Sequence, residues 1–135
     1  MNEFSAWIDK KKRSGFYSLF GGWNRRFMTC DATEIHLRTE NHVPSHIIPI
    51  KHMDRIFADE TSDCECTIIT NIRSFTFRLV DKEQRDQFVA FLTAAKTKLD
   101  REKEKRLSKV KEDINKYVAS LHINSIIGHL QMDET

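Results

Sequence analysis

The chain reads as mainly β with α: a seven-stranded, partly open barrel of two orthogonal sheets, capped by a C-terminal helix and followed by a helical extension. Three observations predict this. Short runs in which apolar and polar residues alternate recur between turn signals from Ser14 to Val80. At Asp81 the period lengthens to that of a helix. No Pro or Gly then interrupts the chain before Gly128.

The stretch Ser14–Cys30, SGFYSLFGGWNRRFMTC, organises the β part. Two apolar runs flank Gly21-Gly22, a hairpin signal, because tight primed turns need a positive φ that Gly adopts without steric cost. In the second run Trp23, Arg25, Phe27 and Thr29 share one face, and Asn24, Arg26, Met28 and Cys30 the other. A hairpin alone is marginal in water. Further strands are expected at Thr33–Thr39, His46–Ile50, Asp54–Asp59, Cys64–Thr70 and Arg73–Val80. Pro49 confines its strand to an edge or an end. The links at Asp31-Ala32, Glu40–Ser45, Asp59–Asp63 and Asn71 carry turn residues.

From Asp81, the residues Phe88, Phe91, Leu92, Ala95 and Leu99 form one helical stripe. Asp81 is placed to N-cap this helix, with Gln84 completing a capping box. Between Lys96 and Lys111 stand eight basic and three acidic side chains. Leu107, Val110, Ile114, Tyr117 and Leu121 then follow a 3-4-3-4 spacing, the seam of a coiled coil. Asn124 could cap a last short piece carrying Ile126, Ile127 and Leu130. Residues 1–13 join Phe4, Trp7 and Ile8, which share a helical face, to the basic run Lys10, Lys11, Lys12 and Arg13. Two readings fit them: a short segment packed on the domain with a solvated tail, or a membrane-surface foot. The expected organisation is thus a basic N-terminal segment over 1–13, a β domain over 14–99 and a charged, amphipathic helical extension over 100–135.

Composition excludes several classes. A net charge of +2 over 135 residues points away from nucleic acid. Three cysteines, with no CxxC, suit a reduced, cytoplasmic protein. Cys64 and Cys66, alternating on one strand face, are expected to be core thiols. No apolar run is long enough to span a bilayer, and Asn2 stands where myristoylation needs Gly. His36, His42, His46, His52, His122 and His129 make no metal spacing, and no nucleophile elbow or phosphate loop is present. No catalytic residue, metal or cofactor is expected, and the chain is read as not an enzyme.

Seven strands and a capping helix resemble the pleckstrin homology (PH) domain over about Lys12–Leu99. The resemblance rests on Arg13-Ser14-Gly15-Phe16, on Trp23-Asn24-Arg25-Arg26-Phe27, and on Ser74-Phe75-Thr76-Phe77 followed by a helix with Gln84-Arg85. The family's tryptophan in the final helix is absent, and Phe88 or Phe91 would fill its place. The resemblance implies lipid binding through a basic residue late in the first strand and a Lys/Arg-x-Arg in the second, because clustered phosphates need several charge-assisted hydrogen bonds. In Asn24-Arg25-Arg26 only Arg26 keeps its charge on the inward face. Ser18, Leu19 and Phe20 stand where the first-strand Lys is expected, and the Gly21-Gly22 link is short, so the pocket reads as depleted.

Two functions follow as expectations. The first is an interaction or scaffold module that associates with a protein partner, or as a homodimer, through Leu107, Val110, Ile114, Tyr117 and Leu121. The alternative is a peripheral membrane-recruitment module that binds acidic phospholipids or phosphoinositides with low selectivity through Lys10, Lys11, Lys12, Arg13, Arg25 and Arg26.

Overall fold

The computed structural model describes residues 2–13 and 22–133, with side chains through Ile123. Seven strands precede one helix: β1 (Phe4–Lys11), β2 (Trp23–Cys30), β3 (Glu34–Arg38), β4 (Pro44–Pro49), β5 (Met53–Ala58), β6 (Glu65–Thr70), β7 (Ser74–Arg78) and α1 (Lys82–Asp133), with a 3₁₀ turn at Ile50–His52. The chain divides into two compact units, Met1–Leu99 and Asp100–Thr135.

All pairings are antiparallel, in the order β4-β3-β2-β1-β7-β6-β5. The two expected sheets are therefore one. Strands β1–β4 and β5–β7 meet where Asp9 and Lys10 pair with Arg78 and Phe77. The sheet is not closed, and β4 and β5 are its edges.

The first strand corrects the sequence reading. Residues Phe4–Lys11 form no helical foot. They pair along their whole length with β2, from Phe4 opposite Cys30 to Lys11 opposite Trp23. Phe4, Trp7 and Ile8 satisfy helical spacing, but Phe4, Ala6 and Ile8 also satisfy period two, and short apolar runs leave that ambiguity open. The structure buries Phe4, Ala6 and Ile8 together and leaves Trp7 on the opposite face. The N-terminal segment thus supplies the central strand of the sheet. The expected strand within Ser14–Phe20, together with Gly21, lies outside the described residues. The β1–β2 connection spans residues 12–22. At its base the Lys12 N–H donates to the Gly22 carbonyl at 2.6 Å. A Cβ on Gly22 would lie 2.6 Å from Lys12 Cδ, so a larger residue there would push the Lys12 side chain aside.

The helix start is as the sequence implies. Asp81 Oδ1 accepts from the Gln84 N–H at 2.8 Å, and Gln84 Oε1 accepts in return from the Val80 N–H at 3.1 Å. Arg85 is buried in the first turn. Its Nη1 donates to the carbonyls of Asp59 and Ser62, and its Nε to Asp86, which ties the helix to the β5–β6 turn. Phe88 and Leu92 are wholly buried; Phe91, Ala95 and Leu99 pack partly against the core. The Phe88 ring meets Phe4 at 5.3 Å and Phe77 edge-on at 6.2 Å.

Truncating Phe88 to Ala should cost about 3–5 kcal/mol and Leu92 to Ala about 2–5 kcal/mol. The half-buried Phe91 should cost less than Phe88. Denaturant unfolding of the three variants checks this order.

Of the two thiols expected in the core, Cys66 is buried and Cys64, just ahead of β6, is only half-buried. Burial first, with Asp31 adding, pushes the Cys30 thiol up to about 12. Burial first, with Glu65 adding against Arg85, does the same to Cys66, also about 12. Under native alkylation followed by mass spectrometry, Cys64 should react well before Cys30 and Cys66, whose thiolates are scarce at neutral pH.

Candidate anion-binding site

The alternation that buries Phe4, Ala6 and Ile8 carries Lys10 inward as the last such residue of β1. Lys10 lies opposite Asn24 of β2 on one side and Phe77 of β7 on the other, and is only 6% exposed. Arg26 of β2, opposite Ile8, points to the same side. From β4, His46 faces inward opposite Leu37 of β3. Arg73, in the tight turn before β7, completes the group; its backbone is held by the N–H and Oγ1 of Thr70, both of which donate to its carbonyl.

Phe75 is the shared floor. The Arg73 guanidinium lies over its ring at 4.2 Å, and the His46 imidazole meets it edge-on at 6.0 Å. Arg26 Nη1 donates to the Arg25 carbonyl at 2.8 Å. Three buried nitrogens have no partner: Arg26 Nε, His46 Nδ1 and Arg73 Nε. Among the described residues no carboxylate pairs with Lys10, Arg26, His46 or Arg73.

The electrostatics agree with that geometry. Burial, then Arg73 and Arg26, hold the Lys10 ammonium below the usual lysine range. Burial, then Lys10, Arg73 and Arg26, hold His46 below its ordinary value. Burial, then Arg13, lower Arg73. Each cation disfavours the charge of its neighbours.

The strand that pairs with β2 is not the one the sequence reading expected. The late first-strand position belongs to Lys10, because the strand is Phe4–Lys11 rather than the run ending at Phe20. The expected Gly21-Gly22 turn is not described, since Gly21 lies outside the described residues. Of the six basic residues read as candidates, Lys10 and Arg26 come together on the inward face. Lys11, Lys12 and Arg13 are exposed. Arg25 is exposed on the opposite face of the sheet, where it stacks on Trp7 at 5.0 Å. There Trp7 also meets Phe27 at 5.1 Å, and Arg78 lies over Trp23 at 4.3 Å while bonding Asp9. His46 and Arg73 were not singled out from sequence. Period two was the available signal, since His46 and Ile48, and Arg73, Phe75 and Phe77, fall on common strand faces. Asp31, Glu34 and His36 approach within 4.8 Å of one another. Their chemistry is spent on the β2–β3 turn: Asp31 Oδ1 accepts from Thr33 N, Thr33 Oγ1 and Glu34 N, and Glu34 pairs with His36 at 2.9 Å.

In the second unit, Leu107, Val110, Ile114, Tyr117 and Leu121 lie along α1, each between 49% and 66% exposed. Among the described residues no helix is long and apolar enough to cross a membrane.

No protein-family model matches the chain, and no curated protein matches it in sequence. Solved structures do match. The N-terminal PH domain of human ARAP2 superposes with a TM-score of 0.62 at 21% identity, covering 72% of this chain and 81% of that one. The fold is that of the pleckstrin homology domains. The PH domain of human TBC1 domain family member 2 gives a TM-score of 0.61 at 15% identity, covering 73% and 84%. That of human oxysterol binding protein-related protein 11 gives 0.59 at 14%, covering 71% and 81%. Within this PH fold, the cation group sits on the inward face of β1, β2 and β4 and at the turn before β7.

Lys10→Met should stabilise the free chain by about 0.5–2 kcal/mol, because it removes a buried charge set among like charges. The sign with pH follows from the lowered value. Between the folded value and the ordinary 10.5, the unfolded chain binds more protons, so the wild type gains stability as pH rises through that window. The variant should not, and thermal melts across the alkaline range compare the two.

Proposed function

We propose that this chain is a non-catalytic PH-fold module whose pocket of Lys10, Arg26, His46 and Arg73 takes a clustered-phosphate anion, the headgroup of an acidic phospholipid or phosphoinositide, and so recruits the chain to a membrane surface. The observation that carries the reading is the unpaired state of these cations. Three buried nitrogens lack partners among the described residues, and no carboxylate there neutralises the group. An orphaned buried donor costs about 1–3 kcal/mol, and a phosphate cluster satisfies several at once. Exposed Lys11, Lys12 and Arg13 add attraction to an anionic surface at about 1 kcal/mol each near it.

Flotation with phosphatidylcholine vesicles, plain or doped with phosphatidylserine, phosphatidic acid or a phosphoinositide, tests the reading. Wild type should float with the doped vesicles. Arg26→Gln should lose at least about tenfold in affinity, the cost of roughly one charged hydrogen bond. Arg25→Gln, on the opposite face, should lose much less. Equal losses in both variants, or no flotation on any doped vesicle, overturn the pocket reading.

A second, separate reading concerns the helix of the second unit. The half-exposed stripe of Leu107, Val110, Ile114, Tyr117 and Leu121 supports association with a second copy or a partner helix. Each residue gains about 1.5–3 kcal/mol when fully buried. Light scattering of the full chain should give a dimer mass that Leu107→Glu with Ile114→Glu returns to the monomer. A monomer at tens of micromolar excludes self-pairing.

A further inference from the structure

The pocket holds one group that differs in kind from its neighbours. Lys10, Arg26 and Arg73 are permanent cations at neutral pH, whereas His46 can be neutral or charged. It shares the Phe75 ring with Arg73, and all three act on its charge. Lys10 faces it from β1, Arg26 from β2 and Arg73 from the turn before β7, with Arg13 acting on Arg73. From β3 its paired neighbour is Leu37, which carries no charge. Its Nδ1 is buried without a partner. No acidic side chain among the described residues pairs with it.

Resting on the phosphate-binding reading, we infer that His46 is a proton-coupled ligand of the pocket: binding a phosphate cluster draws one proton from solvent onto the imidazole, which then donates through Nδ1 to a phosphate oxygen. The balance is simple. In the free chain partial burial and three cations favour the neutral ring, in keeping with its lowered value. The ligand brings several negative charges against those cations, so the reason for staying neutral reverses sign. In the imidazolium both ring nitrogens donate, and the nitrogen left unpaired in the free chain gains its acceptor. A group of Lys and Arg alone would offer no side chain that gains a proton near neutrality. With His46 the affinity strengthens as pH falls. Protonation of the phosphates themselves acts in the opposite direction, so the sign separates the two.

Calorimetric titration of the full chain, in paired buffers of different ionisation enthalpy, counts the protons. Two probes separate the source of the phosphates: soluble inositol hexakisphosphate, and phosphatidylinositol bisphosphate in phosphatidylcholine vesicles. The expected result is net uptake of up to one proton near neutral pH, with affinity rising about three- to tenfold per pH unit between about pH 7.5 and about pH 5.5. Uptake with both probes, or with either, supports the inference and assigns the source. His46→Gln should lose the uptake and keep only the weakening at low pH that the phosphates themselves impose. A measurement on the wild type alone stands beside that variant: the His46 imidazole, followed by NMR, should titrate below 6.5 in the free chain and above it once the probe is bound. Binding with no proton uptake, or an imidazole value unmoved by the probe, overturns the inference while leaving the phosphate site standing. No binding of either probe at any pH overturns the site and the inference together.

Discussion

The pairing of β1 with β7 is the constraint on which the rest depends. Among the described residues, the backbone pairing of Asp9 and Lys10 with Arg78 and Phe77 is what joins the four N-terminal strands to the three that follow. Asp9 reinforces the join on the outer face through Arg78 at 3.1 Å. A partly exposed ion pair is worth little by itself, about 0–1 kcal/mol. Its value here is register. A slip of one residue would turn Phe4, Ala6 and Ile8 to water and Ser5 and Trp7 to the core. The same register decides that Lys10 enters the barrel and Lys11 does not.

That placement costs stability. Lys10, Arg26, His46 and Arg73 crowd like charge on the inward face, where packing alone would favour apolar side chains. The buried rings of Phe75, Phe77 and Phe88 and the stripe of Met28, Ile35 and Leu37 offset the cost nearby. Phe75 serves both sides, as core below and as the surface on which Arg73 and His46 lie. Strained or unsatisfied polar groups held by a rigid frame are a mark of a site rather than of a core.

Helix α1 carries two kinds of surface along one run of sequence. Its first turns bury Phe88 and Leu92 and fasten the β5–β6 turn through Arg85. Within the second unit, beyond Asp100, the apolar stripe is half-exposed. The outer face of β1 and β2 shows a third surface, where Trp7, Phe27 and Arg25 stack in the open.

By itself the sequence determined the fold class, the helix with its Asp81 and Gln84 cap, the stripe through Phe88 and Leu92, and the inward aim of Arg26. These depend on period and on local chemistry, which a chain carries at every point. It did not determine the first strand. Phe4–Lys11 satisfies two periods at once, and its inward row ends in a lysine, which hides the alternation that apolar residues would show. Only the tertiary structure settled the choice, because β2 and β7 supply the backbone partners that make a strand of it. From that one decision came the cation group. Lys10, Arg26, His46 and Arg73 are spread over more than sixty residues of sequence, and no spacing rule joins them. They meet because four separate backbone segments are brought to one face, a fact of pairing and register that no window of the sequence contains.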